Sequence, residues 1–241
     1  MLPWITIRRA LTVLLLLPLV HFAYIVAGDF QKVLNLSPTT WENEVVAYEA
    51  LDRNSAPPRR PLLVLGGRQA GLWNSLPHTL FPMPVLNRAL GDANLNDIDN
   101  YLDRIANPYK PMAVILIPSS TNFVIRADKS AEQFMQNTAS ICAKLQLLLT
   151  KPHCYVMSLP KWPAYPDLWN RVDRANELLS YWTDANENAS LIDARPILED
   201  ADGQTIGAHF RNDGHNLNDW GMEKIDPLIR QQVEKDFSMF F

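Results

Sequence analysis

Short, unbroken apolar runs separated by longer stretches of helical spacing restrict this chain more than anything else in it. Leu62–Leu65 (LLVL) and Ala113–Ile117 (AVILI) contain no polar residue, so a strand built from either has no face suited to water. Pro84–Asn87 (PVLN), Tyr155–Leu159 and Leu191–Ile192 read as three further strands. Between them, Asp97–Ile105, Ser130–Thr150 and Leu168–Asn186 have helical spacing, and Gly221–Phe237 closes the chain as another helix. Uniformly apolar strands alternating with helices imply a three-layer α/β fold. A parallel sheet of about five strands is covered by helices on both faces. Functional sites in such sheets lie in loops beyond the carboxyl ends of the strands.

The first 28 residues read differently. An apolar run, residues 10–27, follows Arg8-Arg9, and basic residues ahead of such a run orient it with its N-terminus in the cytoplasm. Its length is about the minimum for a membrane span. An uncleaved signal anchor and a signal peptide cut near Ala27 or Gly28 are both open. Either places the rest of the chain on the periplasmic or extracytoplasmic side, anchored to the inner membrane in one case and secreted in the other. Residues 29–60 read as a linker holding one short helix, Thr40–Asp52, and a polar stretch, NSAPPRRP. Residues 61–241 form the domain. Those first 28 residues hold two basic residues and no acidic one, leaving 20 basic against 26 acidic residues in the remainder. An acidic domain repels polyphosphate, so nucleic acid is not an expected partner. The two cysteines, Cys142 and Cys154, are open to two readings, a disulfide or a pair of buried thiols.

Four blocks, in order, carry a resemblance. LLVLGGRQAGLW follows the first strand; VLNRALGDANLNDI, AVILIPSSTNF and FRNDGHNLNDWGM come after it, with LIDARPILEDADG before the last. Over most of residues 62–225 this order resembles the SGNH (GDSL-like) hydrolases, flavodoxin-like esterases and lipases. The resemblance implies acyl transfer, in which histidine takes the proton of a serine nucleophile and aspartate orients that histidine. It also implies oxyanion-hole donors. By position it assigns a nucleophile turn at Gly67-Arg68 and an oxyanion glycine at Gly91. An oxyanion side chain falls at Thr121, or at Asn122 after a one-residue slip. The catalytic pair would be Asp213 and His215, although the ungapped histidine position holds Asn216.

The serine position is held by Arg68, whose guanidinium stays protonated and cannot attack an ester. Arg68 reads either as an ion-pair partner on the rim of the site or as an anion-binding group at a strand-to-helix turn. Ser75, the next serine downstream, lies beyond that turn, in or near a helix. His215 reaches the site only if its loop bulges; otherwise it is an ordinary loop histidine. Asp213, Asn218 and Asp219 read equally as turn and capping residues. Trp73 and Trp162 are core residues, or a stacking surface for sugar. Asp97, Asp99 and Asp103 read as a helix start and a solvated face. His78, His153 and His209 lack metal-ligand spacing, and neither metal nor cofactor is expected. The expectation is therefore an envelope protein that binds an acylated carbohydrate, a lipid or an envelope protein partner and has lost serine esterase chemistry. The alternative is an esterase or acyltransferase with rearranged Asp213/His215 machinery.

Overall fold

The computed structural model describes residues 12, 14–26, 39–124, 127–148 and 150–241, and divides the chain into two units, residues 1–40 and Trp41–Phe241. In the first unit residues 14–26 are helical, with apolar side chains exposed. Among the described residues, no helix is long and apolar enough to cross a membrane. Part of the apolar run 10–27, and all of 29–38, lies outside the described residues.

The second unit contains five parallel strands: β1 (Leu62–Gly66), β2 (Val85–Asn87), β3 (Ala113–Ile117), β4 (His153–Met157) and β5 (Ala189–Ile192). Their order is β2-β1-β3-β4-β5, with Leu62 beside Val85 on one side and Ala113 on the other. Every residue of β1 and β3 is buried, which requires cover on both faces of the sheet. That cover comes from α1 (Glu42–Asn54), α2 (Arg68–Leu72), α3 (Leu76–Thr79), α4 (Leu95–Ile105), α5 (Ala131–Gln146), α6 (Trp169–Asp184), α7 (Arg195–Leu198) and α8 (Asp219–Asp236). Successive connections leave β1 toward β2 and then return to β3. The order in which strands are added therefore reverses beside β1, and a crevice opens there at the strands' carboxyl ends.

Local chemistry sets the boundaries. Asn94 and Asp97 form a reciprocal cap at the start of α4, and Ser130 with Gln133 does the same for α5. Asp99 pairs with Lys144 at 2.6 Å, so this acidic stretch is a helix start and surface. β4 runs over 153–157 rather than 155–159, because the fully buried Asn176 takes the backbone of Leu159 out of the ladder. The Leu159 N–H donates to Asn176 Oδ1, and Asn176 Nδ2 donates to the Leu159 carbonyl, both at 2.8 Å. Cys142 and Cys154 form a disulfide with Cα atoms 5.8 Å apart. The short connection from α5 to β4 lays the end of that helix over the start of the strand, which settles the choice between a bridge and free thiols.

The compact unit begins at Trp41, so α1, placed in the linker by its sequence, packs as part of it. Val45 is buried. The Tyr48 hydroxyl donates to the Ala89 carbonyl, Arg88 pairs with Asp52, and Arg104 pairs with Glu42 and Glu49.

Candidate active-site crevice

β1 ends in Gly66-Gly67 and α2 begins at Arg68. A Cβ on Gly67 would come within 2.7 Å of the Ala93 carbonyl and 3.1 Å of Ser119 Oγ. Glycine is thus needed where the loops after β2 and β3 close on the turn. Arg68 projects from this turn to the rim, where its side chain is 57% exposed. Its planar fork is taken by Asp92: Nε and Nη2 donate to the two carboxylate oxygens at 2.8 and 2.9 Å. The hydrogen bonds to Asp92 and its charge, with a smaller effect of Asp213, hold the guanidinium still more firmly protonated. Of the two readings of Arg68, the geometry shows the rim ion pair. Ser75 sits at the start of α3, beyond the turn.

Gly91 has φ +22°, and a Cβ there would run into the Trp41 ring. Its N–H donates to Glu44 Oε2 at 2.8 Å. The donor that the family resemblance assigns to an oxyanion therefore already faces a carboxylate of α1. Burial, opposed by this hydrogen bond and assisted by the charge of Asp92, raises the Glu44 pKa.

Thr121 and Asn122 both make hydrogen bonds within the loops around the turn. The Thr121 hydroxyl is 2.6 Å from Ser119 Oγ and donates to the Ala93 carbonyl at 3.2 Å. Asn122, 1% exposed, accepts from the Leu95 N–H at 3.0 Å and from Lys129 Nζ at 3.3 Å, and donates to the Ser119 carbonyl at 3.0 Å. Its amide ties the β3 loop to the first turn of α4. Lys129 is itself buried, and desolvation brings its pKa down to about 8 against the opposing charges of Asp97 and Asp99.

In the last block, Asp213 Oδ1 accepts from the backbone N–H groups of His215 and Asn216 at 2.8 and 3.0 Å, and Oδ2 accepts from Asn216 Nδ2 at 2.9 Å. These bonds outweigh burial and lower the Asp213 pKa. The carboxylate thus serves Asn216, the residue at the ungapped histidine position. The His215 ring packs on Tyr165, centroids 4.8 Å apart. The residue does border the crevice: with Gln69, Ser119, Ser158, Trp162 and Leu217, His215 lines a cavity of about 20 Å³. That volume suits about one water molecule. Asn218 and Asp219 are the cap and first residue of α8.

Trp73 and Trp162 are each 1% exposed, which removes them as an open sugar platform. Trp73 Nε1 donates to Asp226 at 2.8 Å, and Trp162 packs on Phe123. Gln69 was not anticipated from the sequence. It is 7% exposed, its Oε1 accepts from the Leu217 N–H at 2.6 Å, and its Nε2 meets no acceptor among the described residues. Glu44 was also missed, because nothing in its local sequence links it to a glycine 47 residues away.

A parallel sheet in this order, with its crevice beside β1 and β3, is the flavodoxin-like arrangement. Likeness to solved structures narrows it to the SGNH/GDSL-like hydrolase fold. A Streptococcus pneumonia protein provisionally assigned as a platelet activating factor is 12% identical, with a TM-score of 0.71 over 88% of this chain and 99% of its own. A GDSL-like lipase from Bacteroides thetaiotaomicron is 14% identical, with a TM-score of 0.66 over 80% and 98%. The lipase/acylhydrolase from Enterococcus faecalis is 15% identical, with a TM-score of 0.59 over 73% and 96%. At these identities the likeness is one of fold. No protein-family model and no curated protein matches the sequence.

Proposed function

We propose that this chain is a membrane-tethered, extracytoplasmic protein of SGNH/GDSL-like fold that does not perform serine ester hydrolysis. In this reading it serves cell-envelope metabolism as a binding or accessory component, taking an acylated carbohydrate, a lipid or an envelope protein partner. The observation that carries the reading is the Arg68–Asp92 pair at the nucleophile turn. A guanidinium locked to a carboxylate supplies no nucleophile. The partners that a serine would need are also engaged elsewhere: the Gly91 N–H with Glu44, the Asn122 amide with backbone, and the Asp213 carboxylate with Asn216.

Two observations support the location. An apolar run follows Arg8-Arg9, and the Cys142–Cys154 disulfide suits an oxidising compartment. A cavity of about 20 Å³ is far below the several hundred Å³ of a typical ligand pocket. A glycan or acyl chain would therefore meet the open rim, or require a neighbouring element to move.

A second reading, an esterase or acyltransferase with rearranged machinery, draws on one observation: His215, Ser119 and Ser158 line the same cavity. An ester assay separates the two. Full-length protein in non-ionic detergent is given acetyl and longer acyl esters of p-nitrophenol. The expected rate equals that of detergent alone; turnover that disappears in His215→Ala would overturn the first reading. Binding is tested by thermal shift of wild type and Arg68→Ala with acetylated glycans. If neither form is stabilised, the carbohydrate-binding part of the proposal fails.

A further inference from the structure

The Gly91 N–H faces a carboxylate that arrives from outside its own loop. Glu44 lies on α1, 47 residues earlier in the chain, and reaches the N–H at 2.8 Å. Trp41, at the head of the same helix, lies so close over Gly91 that no side chain fits there. Together Trp41 and Glu44 cover the donor. Next in the chain, Asp92 is held by Arg68 at the rim.

The way α1 is attached sets it apart from the helices of the core. Val45 is its one buried residue. Trp41 and Tyr48 pack partly buried against the core, and the remaining ties are polar: Arg104 to Glu42 at 2.8 Å and to Glu49 at 2.7 Å, Arg88 and Tyr109 to Asp52, and Tyr48 to the Ala89 carbonyl. The Arg104 pairs are partly exposed, so they contribute little and are screened by salt, and α1 buries one residue where α4 and α5 each bury several apolar ones. An element held in this way opens locally before the core does. Closure also keeps the Glu44 carboxylate half-buried next to Asp92, and both effects disfavour its charged form.

We propose that the Gly91 N–H is a carboxylate-binding site whose resident occupant is the protein's own Glu44, and that Trp41 with α1 forms a strap whose release opens this site to a carboxylate on another molecule. The inference rests on reading the crevice as a binding site, and it names both the ligand chemistry and the device that regulates access. The strap continues directly into residues 1–40, so a partner that engages that segment is covalently linked to the closing element.

The chain contains nine glycines, and only Leu65–Gly66 and Leu90–Gly91 are Leu–Gly pairs. Full-length protein carrying ¹⁵N-glycine and ¹³C-carbonyl leucine therefore reports two selected amides, Gly91 under the strap and Gly66 in β1. The probe is sodium acetate, with sodium chloride as the ionic-strength control. In wild type the Gly91 signal is expected to ignore acetate. In Glu44→Ala it should move saturably with acetate, and its amide exchange should be faster by about tenfold or more, the scale of a lost charge-assisted hydrogen bond. Arg104→Ala keeps Glu44 but loosens the strap, and should speed exchange at Gly91 while leaving Gly66 unchanged. The proposal is overturned if acetate leaves Gly91 unmoved in Glu44→Ala. Equal acceleration of Gly66 and Gly91 in Arg104→Ala, or no change in either, would also sink it. None of these readouts depends on ester turnover, so they are separable from the outcome of the hydrolysis assay.

Discussion

Replacing Asn122 by alanine tests whether the β3 loop is a structural joint. The side chain is almost fully buried and joins three partners: the Leu95 N–H, the Ser119 carbonyl and the Lys129 ammonium. Truncation leaves the Leu95 N–H, itself in a 2% exposed residue, without its partner, while the Ser119 carbonyl keeps the backbone N–H of residue 122. A buried polar group left unpaired costs about 1–3 kcal/mol. One such group and the lost contact to Lys129 give about 2–4 kcal/mol. In a domain of this size about 1 kcal/mol lowers Tm by roughly 2–4 °C, so a drop on the order of 4–16 °C is expected. The assay is thermal unfolding of the full chain by circular dichroism, without reductant. Thr121→Ala is the comparison: its half-buried hydroxyl should cost about 1 kcal/mol or less. A drop of less than about 2 °C in Asn122→Ala would refute the reasoning, and the asparagine amide would then be free to act elsewhere.

Lys129 gives a pH signature. Its folded pKa of about 8 lies below its ordinary 10.5, so the unfolded chain binds more protons between those values and stability should rise as pH climbs from about 8 toward 10. Urea unfolding across that window should show the rise in wild type, and Lys129→Met should abolish it. Asp213 works in the opposite range. Its lowered pKa means that the stability it contributes is present above the ordinary carboxylate value and is lost as pH falls through the folded one. An acid titration monitored by fluorescence should therefore be shallower in Asp213→Asn. Opening the disulfide with Cys142→Ser and Cys154→Ser together removes a covalent closure across 12 residues, with an expected loss of about 3 kcal/mol by denaturant midpoint. An unchanged midpoint would show that the bridge adds nothing to the folded state.

The parts of the fold that were legible in the sequence are those fixed by burial alone. AVILI is a strand over the same five residues in the structure, since a run with no polar residue has no other stable placement in a layered α/β unit. Capping signals likewise sit beside the helices they start, as Ser130 and Asn218 show. What sequence could not supply were pairings between distant side chains. The Arg68–Asp92 fork spans 24 residues, and the Glu44–Gly91 contact spans 47. Nothing local distinguishes either carboxylate from its exposed neighbours. Trp73 and Trp162 illustrate the same limit, since loop position left open a platform that three-dimensional packing closed. His215 was visible as a candidate, yet only coordinates show that Asp213 bonds the histidine's backbone while its ring rests on Tyr165.

The sheet's outer strand bears on how this molecule behaves in company. β2 is three residues long and forms one margin of the sheet, and β5 at the far margin spans only four. Unsatisfied backbone groups on a strand's outer side are a template onto which a neighbouring chain can add. Margins this brief offer an incoming strand few rungs, so crowding many copies on one surface carries little risk of stitching their sheets together.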